Sequence, residues 1–243
     1  MIGCSCDVCR SEDLRDKRLR TSALVQVQGI NIAIDCGPDF RQQILRTGIG
    51  HLDAILLTHE HNDHVIGLDE VRPFNFMSRK DMPVYGTSRV LHELQGRFPY
   101  VFDEVNRYPG APMVVQRTIR NGQVFSVGDL EILPIEVMHG MMPVTAYRFG
   151  SFAYITDMRT ISDEDFERLD GVDTVVVNAL HFSPHYSHMN VEEALEFIGR
   201  LGSRRALLTH ASHRMGLHER VNKMLPPGVE LGYDGMKIKI LER

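Results

Sequence analysis

The segment Thr58-His59-Glu60-His61-Asn62-Asp63-His64 has the pattern His-x-His-x-Asp-His, a set of donors suited to divalent cations. The apolar run Ala54-Ile55-Leu56-Leu57 precedes it directly and predicts a buried strand over 53–58. His59 and His61 leave that strand in extended backbone, so their side chains point the same way. A turn into the following helix lets Asp63 and His64 reach a neighbouring point. Two imidazoles for one ion, with a carboxylate and an imidazole for a second, make a borderline-to-hard dinuclear site for Zn²⁺, Mn²⁺ or Fe²⁺. A histidine-rich surface loop, the bland alternative, gives no reason for a buried strand to run straight into the cluster.

Three later polar residues are placed in the same way. His139 follows a predicted strand over 131–137 and precedes Gly140, Asp157 caps a strand over 152–156, and His210 ends a strand over 206–209. Polar residues at the ends of buried strands are easily brought to one edge of a sheet. Asp35, in Ile34-Asp35-Cys36-Gly37, suits orienting a metal ligand better than binding metal itself. A separate cluster, Cys4-Ser5-Cys6-Asp7-Val8-Cys9, holds three thiols that sit too close to form a spread disulfide framework, whereas Cys36 stands alone. Three thiolates at short spacing suit Zn²⁺, which wants a fourth ligand for a closed tetrahedron.

These residues require a scaffold of strands and helices. Strands over 23–28 and 31–35 are joined at Gln28-Gly29, a hairpin turn signal. A helix over 39–46 comes before the strand at 53–58, and a helix over 65–76 interrupted by Pro73 comes after it. Then follow a strand over 83–86, a helix over 88–97, and strands over 114–119, 124–126, 131–137, 145–149 and 152–156. The last third alternates: helix 163–169, strand 174–178, helix 191–201, strand 206–209, helix 217–225, and end strands over 229–233 and 237–241. Asn190 with Glu193, and more weakly Ser162 with Asp165, read as helix starts. The pattern predicts an α/β (α+β) fold with two sheets between helical layers in one domain over 1–243.

Composition narrows the function. The 243 residues are 43% apolar, enough for a sizeable core, and the net charge of −5 without a run of five like charges argues against a broad nucleic-acid footprint. No apolar stretch approaches the ~18 residues of a membrane span, and no charged-then-apolar segment opens the chain, so a cytoplasmic location without membrane partners is expected.

The histidine cluster, with Asp35, His139, Asp157 and His210 in this order along nearly the whole chain, resembles the metallo-β-lactamase superfamily. The resemblance implies a four-layer αβ/βα sandwich with two divalent ions, Zn²⁺ or Mn²⁺, at one edge of the sheets. His59, His61 and His139 would hold one ion, Asp63, His64 and His210 the other, and Asp157 would bridge them. The cysteine cluster is similar to that of the phosphoribosyl cyclic phosphodiesterases of phosphonate degradation. There a structural zinc takes its fourth ligand from a histidine three residues beyond the last catalytic one. That position is His213 here, so the resemblance implies one structural Zn²⁺ on Cys4, Cys6, Cys9 and His213, packed against the C-terminal part of the chain. Asp234-Gly235-Met236 also resembles that branch. Its members carry a first strand and a glycine-rich turn ahead of the cysteines, where this sequence has only Met1-Ile2-Gly3. Either the sequence begins inside a longer protein or a sheet edge is missing.

The expected chemistry is hydrolysis of a small, possibly cyclic, phosphodiester by a metal-bridging hydroxide, in which Asp63 belongs to the catalytic set. The metals supply no proton for the leaving alkoxide. His188 lies before a helix start on the loop after the strand at 174–178, and the resemblance assigns it as the general acid. His181 and His185 can bind phosphate or be inert, and His51, His92 and His218 read as surface residues. Met141, Met142, Phe74 and Phe76 read as packing rather than pocket wall. Alternatives are a tRNA 3′-processing endoribonuclease, for which no basic arm that clamps RNA is visible, and a thioester or lactam hydrolase. A non-catalytic scaffold would lack one of the ligands, and none is lacking. The resemblance also implies a homodimer.

Overall fold

A computed structural model describes residues 1–103 and 108–240. The chain forms two compact units, Arg20–Glu131 and Met1–Leu19 with Ile132–Arg243.

In the Arg20–Glu131 unit, β1 (Ala23–Val27), β2 (Ile30–Ile34), β3 (Ala54–Leu56), β4 (Met82–Gly86) and β5 (Val114–Thr118) form a sheet in that order. β1 and β2 are the expected hairpin. Its two loop residues, Gln28 and Gly29, both have positive φ, 49° and 84°, the turn geometry that matches strand twist. From β2 onward neighbouring strands run parallel, with Ile32 beside Ala54, Ile55 beside Val84 and Met82 beside Val114. β2 and β3 therefore bury both faces and show no alternation, as a covered parallel sheet requires. Helices Phe40–Thr47 and Ser88–Arg97 contribute Phe40, Leu91 and Leu94 to the core that holds Ile55 and Val84. β6 (Phe125–Val127) places Phe125 in a stack on Tyr85, with centroids 5.1 Å apart.

The stretch after β3 differs from expectation. Instead of one helix broken at Pro73, it forms a helical turn Asn62–Val65, a 3₁₀ turn Leu68–Val71 and a helix Arg72–Ser78. Pro73 sits in the first turn of the last helix, where its missing N–H costs nothing, so it opens a helix rather than interrupting one. Asp63 and His64 consequently lie inside a helical turn.

In the second unit β7 (Leu130–His139), β8 (Met142–Phe149), β9 (Phe152–Ile155), β10 (Thr174–Asn178), β11 (Arg205–Thr209) and β12 (Val229–Leu231) lie in the order β12-β11-β10-β9-β8-β7. β7, β8 and β9 pair antiparallel, and β9 through β12 run parallel. Their inward residues, including Val137, Ile155, Val177 and Leu208, pack with Ala194 and Phe197 of the helix Val191–Leu201. That helix starts as expected: the Asn190 side chain accepts from the Glu193 N–H, and the Glu193 carboxylate accepts from the Asn190 N–H, both at 2.9 Å.

Two expectations are corrected in this unit. Residues 237–240 form no strand, because a turn closed by the Met236 N–H on the Tyr233 carbonyl takes the chain out of the sheet; Leu241 lies outside the described residues. His218 is not a surface residue. It is buried, its N–H donates to Asp16 at 2.7 Å, and its ring stands edge-on to Tyr233. The N-terminal segment buries Asp16 against it, which the charged character of residues 11–20 did not suggest. Among the described residues, no helix is long and apolar enough to cross a membrane.

Candidate metal centre

The Arg20–Glu131 unit gathers its four expected ligands where β3 meets the helical turn Asn62–Val65. The His59 ring lies 4.7 Å from that of His61 and 4.2 Å from that of His64, centroid to centroid, and Asp63 Oδ2 lies 3.8 Å from His64 Nε2. Asp35 anchors the group. Its fully buried carboxylate accepts from His64 Nδ1 at 2.7 Å, and from the N–H and hydroxyl of Thr58 at 2.8 Å each. Burial pushes the Asp35 carboxyl up, and the His64 and Thr58 bonds oppose that push. The Thr58 hydroxyl has one proton and gives it to Asp35, so it accepts from His59 Nδ1 at 2.9 Å. Both rings are thereby held in the tautomer that leaves Nε2 with a lone pair, the form a metal ligand needs. Asp35 acts as the orienting residue expected of it.

Glycine makes this close packing possible. A Cβ on Gly37 would stand 2.0 Å from the Asp63 carbonyl oxygen, and one on Gly67 would stand 2.1 Å from the Gly37 carbonyl oxygen. The Cys36 N–H donates to the His64 carbonyl, and the Gly67 N–H to the Cys36 carbonyl, both at 2.8 Å. The end of β2 is thus clasped against the ligand-bearing turn. Arg89 pairs with the Glu60 carboxylate, and Arg97 donates to the Glu60 carbonyl and to Asn62 Oδ1, bracing the motif from the helix Ser88–Arg97.

The second unit gathers His139, Asp157, His188 and His210. Asp157 Oδ1 lies 3.3 Å from His210 Nε2 and 3.7 Å from His188 Nδ1, and the His188 ring is 4.4 Å from His139 and 4.9 Å from His210. His139 Nδ1 donates to the Ser187 carbonyl at 2.9 Å, and a carbonyl only accepts, so Nε2 again carries the lone pair. The Asp157-Met158 turn is pinned by Asn178, which accepts from the Met158 N–H at 2.7 Å and donates to its carbonyl at 2.9 Å. Burial pushes the His188 imidazole down to about 3, while the Asp157 carboxylate pulls the other way. His188, expected as an acid, also stands within ligand distance of His139 and Asp157.

Strain concentrates on these positions. Asp35, Asp157 and His210 have φ of 62°, 57° and 56°, three of the five non-glycine residues in the left-handed region among those described. Each follows the end of a strand, and backbone strain of this kind clusters at functional sites.

Residues 30–211 match the β-lactamase superfamily domain. The chain belongs to the metallo-β-lactamase superfamily. Its two sheets with their helices are the mixed α/β architecture expected of that fold. A crystal structure of a new diphosphatase from the PhnP family is similar over 98% of this chain and 90% of that chain, with 36% identity and a TM-score of 0.90. An octanoyltransferase of Porphyromonas gingivalis is 42% identical over the whole of this chain and 49% of its own length. A ribonuclease Z of Methanopyrus kandleri is 30% identical over 54% of this chain and 44% of its own. The chain spans about half the length of the curated relatives it matches.

The unit of Met1–Leu19 with Ile132–Arg243 also brings the cysteine cluster together with His213. Cys4 Sγ, Cys6 Sγ, Cys9 Sγ and a His213 ring nitrogen all lie within 4.8 Å of one another. His213 Nδ1 is 3.4 Å from Cys4 Sγ and 3.5 Å from Cys6 Sγ. Both separations are close to the S···N edge of a zinc tetrahedron, about 3.6 Å. The His213 contact also holds the Cys6 thiol down to about 6, toward thiolate. The donors therefore fit a structural zinc.

Of the other candidates, His181 contacts Ser212 Oγ at 3.2 Å with its ring 6.1 Å from that of His185, and the His185 ring lies 5.1 Å from that of His188. Phe74 packs in the core, as expected, while Phe76 and Met141 are exposed. His51 and His92 are surface residues. Sequence reasoning missed Thr58, Ser187 and Asn178. Thr58 adjoins the motif and was within reach; a backbone carbonyl and a distant amide leave no signal in sequence.

Proposed function

We propose that the chain is a dinuclear metal-dependent phosphodiesterase acting on a small, soluble phosphodiester. The ligands of the two donor clusters would serve one pair of ions, His59, His61 and His139 on one, Asp63, His64 and His210 on the other, with Asp157 on both. The observation that carries this reading is Asp157 itself: a buried carboxylate with one oxygen touched by two imidazoles, beside a third imidazole fixed as a lone-pair donor. Such a carboxylate suits sharing between cations. Divalent ions bound there would activate water and neutralise the phosphoryl charge. The protein then orients His59 and His64 through Thr58 and Asp35, and His139 through Ser187. His188, which burial keeps neutral, would protonate the leaving alkoxide once the substrate phosphate, together with Asp157, favours its charged form. The preference for a phosphoester is supported by similarity to the diphosphatase. A structural zinc on Cys4, Cys6, Cys9 and His213 fits a reducing compartment such as the cytoplasm.

The test is a panel of bis-p-nitrophenyl phosphate, a 2′,3′-cyclic nucleotide, an octanoyl thioester and a pre-tRNA. Turnover of the phosphodiesters with an inert thioester is expected. Turnover of the thioester alone would overturn the reading in favour of acyl chemistry, and cleavage of pre-tRNA alone would favour the endoribonuclease. His188→Ala should slow poor leaving groups about a hundredfold more than nitrophenyl esters while metal content stays full. Loss of a metal equivalent would make His188 a ligand instead.

A further inference from the structure

The loop between β10 and the helix Val191–Leu201 has two parts. Residues 187–190 are buried and include Ser187 and His188, while residues 182–186 reach into solvent. Tyr186 is 84% exposed, directly before the residue whose carbonyl holds His139.

The loop presents Tyr186 from a fixed base. The Leu180 N–H donates to the Met189 carbonyl, and the Val191 N–H to the His181 carbonyl, both at 3.0 Å, so the two feet of the loop are tied together. Inside it, the Ser187 N–H donates to His185 Nδ1 at 3.4 Å. The His185 ring underlies Tyr186 with centroids 4.8 Å apart and a 34° tilt, and lies 5.1 Å from the His188 ring. A short series of rings thus runs from solvent to the Asp157 cluster. A Cβ on Gly140 would lie 3.6 Å from Ser187 Cβ, so the β7–β8 turn abuts the same loop; the next residue of that turn, Met141, is 96% exposed. A tyrosine has only two side-chain torsions to fix, and its supported ring loses little entropy when a flat group settles on it.

We propose that Tyr186, backed by His185, is a stacking platform for a planar aromatic group of the substrate, which makes the substrate class a nucleotide-type phosphodiester rather than a bare sugar phosphate. This rests on the phosphodiesterase reading and adds to it the identity of the group esterified to phosphate. Every base has a π-face, so such a platform selects a base over none without choosing among bases. Met141 offers a soft second contact of the kind sulfur makes at ring edges.

The test is binding by the metal-loaded protein, read by calorimetry with adenosine 5′-monophosphate and with ribose 5-phosphate. The two share the phosphate and the sugar and differ in the base. The wild type should bind the nucleotide about tenfold or more tightly than the sugar phosphate. Tyr186→Ala should abolish that advantage and Tyr186→Phe should keep it. In turnover of a nucleotide-type diester, the Tyr186→Ala loss should fall on KM rather than kcat. Equal affinity of the wild type for the two ligands, or an advantage that survives Tyr186→Ala, would overturn the proposal. The two failures are separable. A protein that hydrolyses no phosphodiester sinks the phosphodiesterase reading, and the comparison of the two ligands still decides whether a platform exists.

Discussion

At the residue scale, metal chemistry in this chain depends on which nitrogen of each ring carries the proton. His64, His59 and His139 have their Nδ1 atoms engaged by Asp35, Thr58 and the Ser187 carbonyl respectively. Removing such a partner typically costs tenfold to a hundredfold in metal affinity. Asp35→Ala should therefore weaken metal binding by about that factor while leaving all seven expected ligands in place, measured by competition with a chelator of known affinity. Unchanged affinity would mean that ring orientation is set elsewhere. The candidate ligands were legible in the sequence as a donor set, because His-x-His-x-Asp-His after an apolar run has few structural explanations. Their partners were less so. Thr58 adjoins the motif, but a hydroxyl's direction is fixed only by the fold, and Ser187 acts through its backbone.

At the element scale, the hairpin, β4, β10 and the helices Ser88–Arg97 and Val191–Leu201 followed from periodicity and turn or capping residues. The stretch from Asn62 to Ser78 did not, because its apolar residues face a core through three short turns instead of one continuous helix. The clasp between the end of β2 and that stretch depends on Gly37, whose position beside the Asp63 carbonyl leaves no room for a methyl group. Gly37→Ala must push the ligand-bearing turn away. It should destabilise the protein by about 2 kcal/mol or more, within the range for overpacked sites, and lower metal content as well. Denaturant unfolding together with metal analysis would check both effects. A variant of native stability and full metal content would show that the turn can shift freely.

At the scale of the whole molecule, composition and patterning led to a mixed α/β chain with two sheets. The split into Arg20–Glu131 and a discontinuous second unit was not visible, since the N-terminal nineteen residues join the latter through contacts such as Asp16 with His218 and Cys4 with His213. The resemblance implied the pairing of Cys4 with His213, whereas no local pattern announces that of Asp16 with His218 across some two hundred residues. Each unit carries its own group of candidate donors, and the second carries the Cys₃His site as well. Metal stoichiometry of the purified chain therefore bears most directly on the division into a catalytic pair and a structural ion. Three divalent ions per chain are expected, falling by one in Cys6→Ser with the remaining pair intact. One ion or none in the wild type, or loss of all three ions in Cys6→Ser folded protein, would contradict it.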